Sequence, residues 1–289
     1  MRSAHVCRLP STCSCPHHTL PPHTNSHMIC IKLGGRTQND PLLPQAIAAL
    51  WHSTGGKVVV VHGGGDQISA LQRLRGEEPV FIGGRRVTTD TALELVRMVL
   101  SGLANKQMVS ALVAAGAPAV GISGEDAALL RATPIDSAQF GHSGTPASVN
   151  PGVVHALLAA GYLPVISPVA AREHDAANGR EAGAYNVNGD DAAAAIAAAI
   201  GATELFLMAD VPGVLDGDKQ RIATLTLDEA RALVASGVAG GGMAAKLDAC
   251  AMALAGGVNR VRIGDLAALT VPEAGTAIVA RVDATDSSR

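Results

Sequence analysis

Ile29-Cys-Ile-Lys-Leu-Gly-Gly35, answered by Val58-Val-Val-Val-His-Gly-Gly-Gly65, is the pair of stretches that decides the fold. Each reads as a short buried strand running into glycines. Glycine permits close approach of a ligand to the backbone, and free amides at a strand-to-helix junction make an anion site. Lys32 stands beside the first set of amides. The first reading is therefore an anion held at the carboxyl edge of a parallel sheet.

The rest of the chain repeats this grammar. Apolar runs at Met28–Leu33, Lys57–Val61, Ala119–Ile122, Leu163–Ser167, Glu204–Met208, Val258–Ile263 and Thr276–Val279 read as strands. Amphipathic or alanine-rich stretches near 42–53, 65–75, 89–101, 105–115, 151–160, 190–200, 228–236 and 242–255 read as helices. Continuous Val/Ile/Leu strands alternating with helices imply an α/β fold, a three-layer αβα sandwich around a mainly parallel central sheet. Ligands in such sheets bind beyond the carboxyl ends of the strands. Segment 124–150 is irregular and suggests a small excursion or hairpin, and 172–189 lacks clear periodicity. Two lobes of one sheet are expected, 28–180 and 181–289.

The 289 residues are 48% hydrophobic, 16% charged and net −3, a globular composition. Near-neutral charge and 2% aromatic content disfavour nucleic acid as a partner. No apolar run approaches the roughly 20 residues of a membrane span, so a cytoplasmic protein is expected. Residues 1–27 break the pattern with Cys7, Cys13, Cys15, five histidines and four prolines. They lack the apolar core of a secretory signal and a second ligand pair at zinc-finger spacing. A disordered or non-native tail is expected, with Met28 as a natural start.

Common phosphate and hydrolase motifs fail on inspection. Gly55-Gly-Lys57 precedes its strand, whereas a P-loop follows one. Gly63-x-Gly65 meets Ile68 where a dinucleotide fingerprint needs a third glycine. His62-Gly-Gly-Gly65 is like the oxyanion loop of lipases, but Gly121-Ile-Ser-Gly-Glu125 and Gly141-His-Ser-Gly-Thr145 both lack the closing glycine of a nucleophile elbow. Other polar residues stand out. Arg86, ahead of a helix capped by Thr88 or Thr89, suits a carboxylate clamp. Asp190 opens an alanine-rich helix. Lys246 lies one turn inside a helix that starts at three glycines, where a cation needs an anionic partner.

Taken in order, Lys32-x-Gly-Gly35, Val61-His-Gly-Gly-Gly65, Arg86-Val-Thr88, Asn186-Val-Asn-x-Asp190, Asp210-Val-x-Gly-Val-Leu-Asp216 and Gly241-Gly-Met-x-x-Lys246 resemble the amino-acid kinase family, and within it the acetylglutamate kinase branch. The resemblance spans Met28 to about Ala280. It implies transfer of a phosphoryl group from ATP to the side-chain carboxylate of N-acetyl-L-glutamate. It further implies that Lys32 and Lys246 flank the moving group and that Asp190 orients both. Gly34, Gly35, Gly64 and Gly65 would donate backbone N–H groups, with Gly64 and Gly65 serving the acceptor. Arg86 would clamp the substrate's α-carboxylate and Asn186 one of its oxygens. The nucleotide would lie along Asp210, Val211, Pro212, Gly213, Val214 and Leu215 and along Val238, Ala239, Gly240, Gly242 and Met243. Mg²⁺ would arrive on ATP, without protein ligands.

A carboxylate acceptor is already ionised at neutral pH, which agrees with the absence of a poised general base from the motifs. Two other readings remain: an N-acetyl-2-aminoadipate kinase, since one methylene separates the substrates weakly, and a non-catalytic amino-acid-binding regulator. Carbamate, aspartate and uridylate kinases fit less well, being expected to lack Arg86-Val-Thr88 together with Asn186-Val-Asn188. Arginine-inhibited members of the family carry an extra amino-terminal helix that links dimers. Four prolines ahead of Met28 argue against that helix, so an arginine-insensitive homodimer is expected.

Overall fold

The computed structural model describes residues 27–173, 183–271 and 273–280. The chain runs β1 (Ile29–Leu33), α1 (Leu43–Ser53), β2 (Val58–His62), α2 (Gly65–Leu74), β3 (Phe81–Ile82), β4 (Arg85–Arg86), α3 (Asp90–Val96), a π-helical stretch (Arg97–Ala104) and α4 (Asn105–Ala114). It continues through β5 (Ala119–Gly124), β6 (Leu130–Pro134), α5 (Ser137–Phe140), β7 (Ser143–Val149), α6 (Gly152–Ala159), β8 (Leu163–Arg172), β9 (Ala184–Val187) and α7 (Gly189–Ala199). The last third holds β10 (Glu204–Met208), β11 (Thr224–Thr226), α8 (Leu227–Ala235), α9 (Gly241–Ala255), β12 (Arg260–Gly264), α10 (Leu266–Thr270) and β13 (Thr276–Val279).

The described residues form one sheet of eleven strands, in the order β11-β13-β12-β10-β1-β2-β8-β6-β7-β9, with β5 also paired to β8. Its centre is parallel: β1 lies between β10 and β2, with Lys32 level with Leu207 on one side and Val61 on the other. Among the described residues, the antiparallel pairs of this sheet are β12–β13, β6–β7 and β8–β9. The irregular segment 124–150 contains the β6–β7 hairpin. β9 was hidden because only four residues form it, and it draws its apolar partners from β8.

Alternation along β1 assigns the two faces. Ile29, Ile31 and Leu33 pack with Leu43, Ile47 and Trp51 of α1 and Leu112 of α4. Cys30 packs with Val59, Val61, the alanines of α7 and Ala249, Cys250 and Ala253 of α9. Because side chains alternate with a period of two, Lys32 shares Cys30's face and points toward α7 and α9. Both faces are buried, as the unbroken valine run requires. The expected tail lies outside the described residues apart from His27, and the expected lobe boundary near 180 lies outside them as well.

Candidate functional site

Lys32 leaves the end of β1 over two residues that have no side chain. A Cβ on Gly34 would come within 2.4 Å of the Lys32 Nζ, and one on Gly189 within 3.1 Å of its Cε. The lysine is almost wholly buried and its Nζ lies 2.9 Å from Asp190 Oδ1. Lys246, in the second turn of α9, approaches the same carboxylate, 3.0 Å from Oδ1 and 3.2 Å from Oδ2. Asn188 caps α7, its side chain accepting from the Asp190 N–H. Three residues from β1, α7 and α9 thus converge on one point at the carboxyl edge of the sheet.

Two ammonium groups and one carboxylate leave an excess of one positive charge in a poorly solvated place. Burial disfavours ionisation of Asp190, but Lys32 and Lys246 together hold its carboxyl below the ordinary aspartate value. Burial and the charge on Lys32 lower the Lys246 ammonium below the ordinary lysine value, against the pull of Asp190. Such a cluster is incomplete without an anion.

The backbone around it offers matching donors. The turn Gly35–Asn39 begins at Gly34, α2 at Gly64 and α9 at Gly240, and none of these starts has a side-chain cap. By contrast Thr89, Asn188 and Thr226 cap α3, α7 and α8 with their own side chains. Uncapped first-turn amides can donate to a phosphate or carboxylate, although in the first of these turns the Thr37 N–H already donates to Asp210. A cleft of about 340 Å³ is lined by Lys32, Gly34, Gly63, Gly64, Gly65 and part of α4.

His62 serves the loop rather than chemistry. It is buried, its Nε2 faces Asn105 Nδ2 at 3.1 Å and its Nδ1 faces the Gly63 carbonyl at 2.8 Å. The amide can only donate, so Nδ1 carries the proton and donates to Gly63. Burial lowers its pKa, which keeps the ring neutral.

A second, smaller cleft of about 140 Å³ adjoins the first. Gly64, Gly65, Arg86, Ser143, Asn186 and Asn188 are among the residues that line it. The Arg86 guanidinium is buried and donates to Gln72 Oε1, to Ser69 Oγ at 2.8 Å and to the Gly65 carbonyl at 2.9 Å. Three of its five N–H donors thus go to α2. Asn186 Nδ2 donates to Thr88 Oγ1 at 3.1 Å, and Thr88 Oγ1 meets Ser143 Oγ at 2.9 Å. Ser69, Gln72 and Ser143 were given no role from sequence, and Thr88 only that of a candidate helix cap. The Arg86-Val-Thr88 motif marks Thr88, and the other three carry no signal of their own.

Residues 27–265 match the Amino acid kinase family. The chain belongs to that family. It is 42% identical over 257 residues to the acetylglutamate kinase of Wolinella succinogenes, covering 87% of each chain. A crystal structure from Streptococcus mutans UA159 superposes with a TM-score of 0.79 at 27% identity, over 89% of this chain and all of that one. N-acetylglutamate synthase from Neisseria gonorrhoeae shares the fold, with a TM-score of 0.73 at 23% identity, over 89% of this chain and 60% of that one.

Within this amino-acid kinase, the segments expected along the nucleotide are not gathered into either cleft. Asp210 follows β10 and accepts from the Thr37 N–H at 3.3 Å. Val214 and Ala239 are core residues, packed with Val211 and Met243 in the cluster under α7 and α9. Gly213 must be glycine because a Cβ would lie 2.5 Å from Thr276 Oγ1, the atom that accepts from the Val214 N–H. Pro212 and Leu215 belong to the same loop, where Leu215 bridges to Arg221. Val238 is exposed, and Gly240 and Gly242 begin α9. Among the described residues, no three His, Cys, Asp or Glu side chains are grouped to hold a metal, and no helix is long and apolar enough to cross a membrane.

Proposed function

We propose that this protein catalyses ATP-dependent phosphorylation of the side-chain carboxylate of N-acetyl-L-glutamate, giving N-acetyl-L-glutamyl 5-phosphate for arginine biosynthesis. One observation carries the chemistry: Lys32 and Lys246 share a single carboxylate, so the pocket holds an excess positive charge beside uncapped helix starts. The identity to acetylglutamate kinases over most of the chain supports the substrate.

In this reading a substrate carboxylate oxygen attacks the γ-phosphorus. The new O–P bond forms as the bond to the β-phosphate oxygen breaks, and ADP leaves with that electron pair. No proton need be removed, because the carboxylate is ionised beforehand. The obstacle is repulsion between two anions, and fixed cations and N–H donors are what lower it. Lys32 and Lys246 would stabilise the transferring group from two sides, with Asp190 keeping both ammonium groups in place. Gly34, Gly35, Gly64 and Gly65 would donate from the backbone. Arg86, with N–H donors not used on α2, would take the α-carboxylate, and Asn186 would hold a further oxygen.

Residues 28–180 would bind the acylated amino acid and make a homodimer, and residues 181–289 the nucleotide. Mg²⁺, held by the triphosphate, would add charge neutralisation, which suits a site whose own carboxylate is already committed to two lysines.

The test measures ADP release with MgATP and either N-acetyl-L-glutamate or N-acetyl-L-2-aminoadipate, trapping the acyl phosphate with hydroxylamine. Acetylglutamate is expected to give the higher kcat/KM and a hydroxamate. Turnover only with the longer acid would transfer the assignment to the aminoadipate reaction, and turnover with neither would overturn it.

A further inference from the structure

Arg85, on the wall of the smaller cleft, pairs with Asp191, and neither has a role in the chemistry above. Arg85 sits on β4, in a hairpin whose turn, Gly83-Gly84, has φ of +56° and +78°. Two consecutive positive φ values define the tight turn favoured in two-residue hairpins. The hairpin is only two residues deep, pairing Phe81 with Arg86 and Ile82 with Arg85. Its apolar side chains contribute little anchorage, since Val80, Phe81 and Ile82 are all exposed.

Polar contacts hold it instead, in two directions. Arg86 reaches α2 through Gln72, Ser69 and Gly65. Arg85 reaches the other way, its Nη1 lying 2.6 Å from Asp191 Oδ2 on the first turn of α7. Asp191 is buried and directly follows Asp190, the residue that gathers the two lysines. Phe81, Gly84, Arg85 and Arg86 line the cleft from the hairpin side, and Asn186, Asn188 and Gly189 from the α7 side.

We infer that Arg85 and Asp191 are positioning residues, an ion-pair strap that holds the hairpin across the acceptor cleft and fixes Arg86 relative to the lysine–aspartate cluster. The inference rests on the acceptor site proposed above. Asp191 could not stand there alone: it is buried beside the charges of Asp190 and Asp248, and burial already pushes its carboxyl above the ordinary value against the pull of Arg85. Breaking a buried pair by removing one member is costly because the other is left uncompensated. The strap therefore sets how firmly the acceptor side of the cleft is closed. It does not touch the phosphoryl group.

Amide hydrogen exchange and steady-state kinetics on Arg85→Leu, Arg85→Lys and the double variant Arg85→Leu/Asp191→Asn test this. The Val87 N–H, which donates to the Val80 carbonyl at the hairpin base, is the reporter. In Arg85→Leu its exchange should quicken about tenfold, and the KM for acetylglutamate should rise about tenfold while the KM for ATP stays near wild type. Arg85→Lys should recover part of both effects, and the double variant should be no worse than Arg85→Leu. Unchanged exchange at Val87, or equal losses on both substrates, would overturn the strap. Exchange needs no turnover: quickened exchange in a protein inactive on acetylglutamate would support the strap while refuting the proposed substrate.

Discussion

Lys246→Ala is the sharpest probe of the charge accounting. Lys32, Lys246 and Asp190 together carry one net positive charge. Removing Lys246 leaves Lys32 and Asp190, 2.9 Å apart, as a neutral and still paired couple. No buried charge is orphaned, so the usual large penalty for breaking a buried pair does not apply. The fold already disfavours the Lys246 charge, through burial and the nearness of Lys32. Stability should therefore change by no more than about 1 kcal/mol, or about 2–4 °C in Tm. Turnover should respond very differently. Loss of one preorganised donor to a developing charge costs about 2.7–4 kcal/mol, or about 10²–10³ in kcat. The assay pairs ADP release at saturating MgATP and acetylglutamate with a thermal melt of the same sample. A kcat within about threefold of wild type would remove Lys246 from transition-state stabilisation. A Tm drop beyond about 8 °C would show that the lysine supports the fold, refuting the argument from excess charge.

Asp190→Asn should do the reverse to stability, losing about 3–5 kcal/mol near neutral pH because two buried ammonium groups lose their shared partner. The native Asp190 pKa is depressed. Its stabilisation is thus complete above the ordinary aspartate value near 4 and lost as pH falls through the depressed one. Thermal melts across that range should show a steep acid limb in wild type and a flatter one in the variant. Arg86→Ala should mainly raise the KM for the acylated amino acid, read from initial rates. It should also cost about 1–3 kcal/mol in urea unfolding, because buried Gln72 loses its donor; a kcat loss at unchanged KM would contradict the clamp. Arg262→Ala should cost about 1–3 kcal/mol in urea unfolding, since its Nε lies 2.6 Å from buried Glu204, which keeps Arg260 at 4.0 Å as a second cation, while kcat holds within about twofold. Glu204 opens β10 at the edge of the sheet opposite the cleft, so a large kcat loss would reveal coupling along the strands.

Local physics wrote most of the framework into the chain. Runs such as Val58–Val61 and Leu205–Met208 are apolar at every position, which only a strand covered on both faces tolerates, and the parallel centre followed from that. Glycines after β1 and β2 announced backbone amides without naming their ligand. From sequence, Lys32 stood out beside strand-end glycines and Lys246 as a cation at a helix start that disfavours one, while Asp190 was marked only through the resemblance of its motif to the amino-acid kinase family. That they meet depended on tertiary structure. The parity of β1 turns Lys32 onto the face covered by α7 and α9, and the small residues Ala192, Ala193 and Cys250 pack in the core between those helices and the sheet. Sequence was nearly silent on Arg85 with Asp191, Thr88 with Ser143 and Glu204 with Arg262. Each pair joins distant segments, and nothing in local propensity encodes a partner supplied by another strand or helix. Gly83-Gly84 was a readable turn signal, but a hairpin two residues deep is too short for alternation to show. Composition and spacing thus selected the layers and the charges, and the long-range register of the sheet selected their partners.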